Sequence, residues 1–264
     1  MKNRGLILFD IDGVIRNVSN SYRLAVQKTV YEFCNWKPSA KEIDTLKNEG
    51  IWNNDWDLSL ELIKRYFHAN KINKKTPSRK DIVHIFEKLY FGTNPQENPI
   101  NWTGYINNEE ILVDKNLFSE LSLNGVKWGF VSGAEPASAK FVLENKLELL
   151  NPPLIAMGDA PDKPNPKGLI LLAQRLTDNA LQQGAPPIAY LGDTIADIRT
   201  VLNAREKMPN QKFISIGVAP PHLHTKSLTK ERRVYEANLK KEGADYLINS
   251  VNDIRTMYEQ LFSD

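Results

Sequence analysis

Leu6-Ile7-Leu8-Phe9-Asp10-Ile11-Asp12-Gly13 is the stretch that decides the fold. Four consecutive apolar side chains running into an acidic turn are too short for a helix and lack the alternation of a half-exposed strand. They read as a strand buried on both faces. Similar runs recur at residues 126–131, 154–157, 188–191, 213–217 and 246–248. From the second run onward the intervals are helix-periodic: Leu143, Leu147 and Leu150 follow Pro136, and Leu169, Leu172, Ala173 and Leu176 follow Pro166. Alternating strands and helices predict an α/β fold, a Rossmann-like parallel sheet of about six strands covered on both sides. Ligands of such a sheet sit beyond the carboxyl ends of its strands. Asp10-Ile11-Asp12-Gly13 follows the first strand, Ser132-Gly133 the second, Gly158-Asp159 the third and Gly192-Asp193-Thr194 the fourth. One aspartate ending a strand is ordinary turn chemistry; four chemically compatible ends point to a site.

The alternation breaks between residues 18 and 104, which hold several helical stripes and no strand-like run. Val18, Tyr22, Ala25, Val26, Thr29, Val30 and Phe33 share one stripe, and Leu58, Leu62, Ile63, Tyr66 and Phe67 another, with Asn54 or Asp55 as its cap. Ser78-Arg79-Lys80-Asp81 resembles a capping box ahead of Ile82, Ile85, Phe86, Leu89 and Tyr90. The expected organisation is a core of residues 1–17 and 105–264 with an all-α insert at 18–104. Trp36, Trp52, Trp56 and Trp102 belong to this insert or its exit, where core and hinge packing is the default role for each indole.

Composition narrows the partners. The 264 residues are 41% hydrophobic and 25% charged, sufficient for one large or two modest domains. Basic residues exceed acidic ones by 34 − 32 = 2, which predicts no nucleic acid or other polyanion as partner. No apolar run approaches the roughly 18 residues of a membrane span. The start has too few apolar residues before Asp10 for a secretory signal, and the single Cys34 cannot form an internal disulfide. A cytoplasmic protein without a membrane partner is expected.

Asp10-Ile11-Asp12-Gly13-Val14, Ser132 in Phe130-Val131-Ser132-Gly133, Lys163 in Lys163-Pro164-Asn165-Pro166, and Gly192-Asp193-Thr194-Ile195-Ala196-Asp197 occur in the order of four motifs. Each is short, but together they resemble the haloacid dehalogenase-like superfamily of phosphohydrolases. The similarity is to the branch with a helical cap between the first two motifs, which holds phosphoglycolate phosphatase and β-phosphoglucomutase-like enzymes. The residues fit that chemistry. Phosphate monoester hydrolysis is among the slowest uncatalysed reactions, and a carboxylate nucleophile divides it into two easier steps through an aspartyl phosphate. Asp10 is the expected nucleophile, and Asp12, aimed by the turn at Gly13, the acid that protonates the leaving oxygen and then activates water. A carboxylate meeting a phosphate dianion requires compensating charge, which implies Mg²⁺. Asp10 and Asp193 are its expected side-chain ligands, and the resemblance adds the Asp12 carbonyl. Asp197 is expected to hold either the metal's waters or Lys163. On their own, Asp193 and Asp197 would be a turn and a helix N-terminal acid pair. Ser132 and the amides around Gly133 would bind the phosphoryl oxygens and Lys163 would neutralise them, with Lys167 a rival for that role.

A small phosphorylated metabolite is the expected substrate, chosen by the insert. Gly50-Ile51-Trp52-Asn53-Asn54-Asp55-Trp56 reads either as a specificity loop for hydroxyl groups or as a helix cap beside packed tryptophans. Tyr22 is a further specificity candidate, and Arg16 and Arg23 flank the expected hinge, where they could meet an anionic tail. A mutase would share every core motif. The β-phosphoglucomutase branch, however, has a histidine where this chain has Tyr22 and a phosphate-binding arginine near Asn53, departures that favour a phosphatase. A dehalogenase would not need Asp12, and a non-catalytic relative would be expected to have lost a core acid. His222 and His224 follow Pro220-Pro221 and read as a surface loop, and residues 225–242 as a solvated helical face.

Overall fold

The computed structural model describes residues 4–262 apart from 53, 179, 180, 182 and 183. The chain divides into two compact units, Met1–Asn17 with Ile111–Asp264, and Val18–Glu110. In the first, the apolar runs form a six-stranded sheet: β1 (Gly5–Phe9), β2 (Val126–Val131), β3 (Leu154–Ile155), β4 (Ile188–Gly192), β5 (Phe213–Val218) and β6 (Tyr246–Ile248). Their order across the sheet is β3-β2-β1-β4-β5-β6, and every neighbouring pair is parallel. β3 is shorter than the run 154–157, because Met157 turns out to bridge Ala160.

The unbroken hydrophobicity of β1 follows from helices on both faces. Ile7 and Phe9 pack into one cluster with Leu117, Phe118 and Leu121 of a helix at Leu117–Leu123, while Leu6 and Leu8 enter another with Leu169 and Leu172 of the helix Lys167–Leu176. Neither face meets water, so neither carries a polar residue. After Pro136 the helix Pro136–Lys140 continues as a π-helical segment, Phe141–Lys146; Leu143 and Leu147 are buried, but Leu150 lies past the helix end, 91% exposed.

The second unit is helical: α1 (Tyr22–Cys34), α2 (Ala40–Lys47), α3 (Asp55–Ala69) and α4 (Arg79–Tyr90), with α1 packed on α3 and α4. Ser39 and Ser78 form complete capping boxes with Glu42 and Asp81, and Asn54 caps α3. The indoles build the core or its margin: Trp36 stacks on Tyr66 at 4.7 Å between centroids, and buried Trp102 lies 4.6 Å from Phe91. This unit runs past Gly104 to Glu110 because residues 105–110 carry part of its interior. Ile106 is fully buried, and buried Glu109 accepts hydrogen bonds from Ser21 Oγ and Tyr90 Oη, both 2.7 Å. Tyr90→Phe deprives that carboxylate of one donor. We expect a loss of about 1–3 kcal/mol in unfolding free energy, read as a lower urea midpoint with an unchanged denaturant slope.

Candidate active site

The strand order reverses at β1. The chain goes first to β2 and β3 on one side and later to β4 on the other, which leaves a crevice beyond the ends of β1 and β4. Asp10 and Asp193 follow those two strands directly. The Asp10 amide donates to the Leu191 carbonyl at 2.8 Å, which continues the β1–β4 ladder into the site. Its side chain is buried, with Oδ1 accepting from the Ile11 amide (2.8 Å) and Oδ2 lying 2.9 Å from Lys163 Nζ.

Lys163 is itself buried and has two more partners, Asp197 Oδ1 at 2.5 Å and the Tyr190 hydroxyl at 3.2 Å. Tyr190, on β4, donates in turn to the Val131 carbonyl at 2.8 Å. Asp197 lies in the first turn of the helix Ile195–Lys207, where its Oδ2 accepts from the amide (2.9 Å) and hydroxyl (2.6 Å) of Thr194, the helix cap. Both Asp197 oxygens are therefore engaged, one with Lys163 and one with the cap. Carboxylate oxygens of Asp10, Asp193 and Asp197 lie within 4.8 Å of one another. A compact set of hard oxygen donors suits a hard divalent cation.

Glycines make this proximity possible. Gly13 has φ +79°, and a Cβ there would fall 2.1 Å from Asp193 Oδ2; a Cβ on Gly192 would fall 2.2 Å from Asp197 Cβ. Burial also sets the charges. Burial pushes the Asp10 carboxyl up, Lys163 pulls it down, and Asp197 and Asp12 raise it again, leaving it at about 6. For Lys163, burial alone would lower the ammonium, but Asp10 and Asp197 outweigh it and hold the group charged well above the ordinary lysine range.

The remaining candidates fall into two groups. Buried Ser132 follows β2, its amide donating to the Ile155 carbonyl (2.9 Å) and its Oγ accepting from the Ala134 amide (3.2 Å), with Gly133 between. Lys167 is exposed at the start of its helix, whereas Lys163 is held against Asp10. Asp12 Oδ1 accepts from Arg16 Nε at 2.6 Å. Arg16 is a correction to the sequence reading: it is 0% exposed, with its other guanidinium nitrogens on the carbonyl (3.3 Å) and hydroxyl (3.1 Å) of Ser138, and is not placed to meet an anionic substrate tail. Among the insert candidates, Tyr22 is a buried stacking partner of Tyr90, and Arg23 forms an ion pair with Asp44. Asn54 accepts from the amides of Trp56 and Asp57 as the cap of α3, so the capping role describes it. Asp55 pairs with Lys47, and Trp56 lies under the Arg79 guanidinium and edge-on to Phe86. Asn53 lies outside the described residues.

Sequence reading missed three supports: Tyr190, Ser138 and Tyr235. Tyr235, on the helix Thr229–Glu242, donates from its hydroxyl to the Asp193 carbonyl at 2.8 Å. That helix, charged along most of its length, thus reaches the site through the Tyr235 hydroxyl. Its signal was the apolar pair Tyr235 and Leu239, four apart in an otherwise charged run.

A family model described as haloacid dehalogenase-like hydrolase matches residues 5–205. An imidazoleglycerol-phosphate dehydratase from Phytophthora nicotianae is 30% identical over 227 residues, which cover 85% of this chain and 45% of that one; the chain spans less than half of that relative's length. Among solved structures, a phosphonoacetaldehyde hydrolase-like protein from Oleispira antarctica has a TM-score of 0.70 at 18% identity, covering 97% of this chain and 91% of its own. A predicted phosphoglycolate phosphatase from Haemophilus somnus has a TM-score of 0.64 at 15% identity, covering 97% and 99%. A putative β-phosphoglucomutase from Thermotoga maritima has a TM-score of 0.56 at 15% identity, again covering 97% and 99%. These three share the fold.

The elevated Asp10 carboxyl has a consequence for stability. Its proton is held more tightly in the folded chain than in the unfolded one, so the stability it supplies is present below about pH 4 and lost as pH rises through about 6. Asp10→Asn removes that charge without changing the side chain's shape. In metal-free buffer the variant should exceed the parent by up to about 3 kcal/mol at pH 8 and match it near pH 4, measured by thermal unfolding across that range.

Proposed function

The chain belongs to the haloacid dehalogenase-like hydrolases, and from that premise we propose that it is a Mg²⁺-dependent phosphatase acting on a small phosphorylated metabolite through an aspartyl-phosphate intermediate. The observation that supports this most is the buried Asp10 carboxylate in contact with Lys163 beside Asp193, at the point where the strand order reverses. A general hydrogen-bonding core has no use for so many charges in one place.

In the proposed reaction Asp10 Oδ attacks phosphorus as the bond to the leaving oxygen breaks, and the Asp12 carboxyl gives that oxygen its proton. Asp12 then takes a proton from water, whose oxygen attacks phosphorus as the bond to Asp10 breaks, giving inorganic phosphate and restoring both carboxyl groups. Mg²⁺ held by the Asp10 and Asp193 side chains and the Asp12 carbonyl would supply the positive charge that lets a carboxylate approach a phosphate dianion. Ser132 and the Gly133 amide would hydrogen-bond the phosphoryl oxygens, and Lys163 would balance their charge. Asp197 and Thr194 keep Lys163 in position, and Tyr235 steadies the Asp193 backbone. The helical insert, which we propose acts as the family's cap, carries the choice of leaving group.

The test is phosphate release from a panel of sugar, polyol and carboxylic acid phosphates. Imidazoleglycerol phosphate belongs in it, since the Phytophthora relative named for that compound contains a segment similar to this chain. Turnover should need added Mg²⁺, stop on chelation and fall by at least about 1,000-fold in Asp10→Asn. Turnover that survives chelation, or that the variant retains, would sink the mechanism. A product that keeps its phosphate at a new position would replace the phosphatase with a mutase.

A further inference from the structure

Arg16 is the largest side chain buried completely in the described protein. Its guanidinium donates from Nε to Asp12 Oδ1 (2.6 Å), from one terminal nitrogen to the Ser138 carbonyl (3.3 Å) and from the other to the Ser138 hydroxyl (3.1 Å). Neither end of this bridge is loose. The Arg16 carbonyl accepts from the Gly13 amide at 2.9 Å, closing the turn after Asp12. Ser138 is fixed by Glu135, whose carboxylate caps the helix Pro136–Lys140 through the Ser138 amide (3.0 Å) and whose carbonyl accepts from the Ser138 hydroxyl (3.1 Å). The loop after β1 and the helix after Ser132 are thereby joined through one cation.

Stability is a poor explanation for this arrangement. Arg16 is fully buried while the Asp12 side chain is 26% exposed; desolvating the guanidinium costs about what the pair returns, and apolar residues of similar volume usually serve a fold as well. The guanidinium does supply direction, since its planar donors fix the acceptors they meet. We infer that Arg16 is a positioning residue for the reaction: by holding Asp12 at Oδ1 it fixes the direction in which the carboxyl group presents Oδ2 to the leaving oxygen. The inference rests on the phosphatase reading and deepens it, because it assigns the aim of the acid to a residue outside the four motifs.

A residue that acts through the acid matters in proportion to the proton the leaving group requires. Arg16→Met keeps the length of the side chain and removes its donors. We expect kcat/KM, which reports the steps up to phosphoryl transfer, to fall by about 10- to 100-fold on an alkyl phosphate such as glycerol phosphate. On 4-nitrophenyl phosphate, whose leaving group needs no proton, the fall should be less than about threefold. Arg16→Lys should recover part of the alkyl activity, and Ser138→Ala, a milder change that keeps the guanidinium, should show the same pattern at about threefold. In an Asp12→Asn background, Arg16→Met should cost nothing further on the alkyl ester. Equal losses on both esters, or additive losses with Asp12→Asn, overturn the positioning role and leave the phosphatase standing. If Arg16→Met fails to fold, Ser138→Ala and Arg16→Lys decide by the same ratio of esters. A parent protein that releases phosphate from no ester of the panel above removes the phosphatase reading, and this inference with it; where another alkyl ester of the panel is turned over, it takes the place of glycerol phosphate in the comparison.

Discussion

A carboxylate buried beside a second carboxylate cannot stay ionised unless a cation is fixed between them, and Lys163 is that cation. Its position explains much of the surrounding structure. Asp197 must turn back from the first turn of its helix to reach Lys163, which requires Gly192 to lack a side chain and Thr194 to cap the helix. Tyr190 must present its hydroxyl on the same face of β4, which places a tyrosine in an otherwise aliphatic strand. The net result is an Asp10 carboxyl elevated to about 6 and paired with one buried cation, a charge balance that the proposed phosphate and metal would complete.

The polar edge of the sheet was legible in the sequence because the fold concentrates it. Parallel strands are buried on both faces, so their carboxyl ends are the places where the chain can turn polar, and Asp10, Ser132 and Asp193 announced themselves by following apolar runs. Lys163 was legible by its neighbours Pro164 and Pro166, and the structure separates it from Lys167 by burial. Arg16, Tyr190 and Tyr235 were not legible in the same way. Each works through a contact with a residue far along the chain, Ser138, Lys163 and Asp193 respectively, and such pairings depend on register and helix packing rather than on local spacing.

The helical unit illustrates the same limit. Its stripes and caps were readable at Asn54 and Ser78, because helical periodicity and capping are local. Its exit was not, because residues 105–110 carry no strong propensity and belong to the unit through Ile106 and the Glu109 hydroxyl network. Residues read as specificity candidates have partners within the unit: Asn54 accepts from helix amides, Asp55 pairs with Lys47, and Tyr22, outside the loop at residues 50–56, stacks on Tyr90.

Lys163 also bears on turnover. An ammonium has three N–H groups, and Asp10, Asp197 and Tyr190 offer it three partners. A phosphoryl oxygen that reaches it must take the place of one of them, so ligand capture is an exchange and not a simple addition. The affinity gained is the difference between two hydrogen bonds rather than the whole of one. In the proposed reaction this would moderate the grip on inorganic phosphate after the ester is cleaved and let the protein's own carboxylate help expel the product.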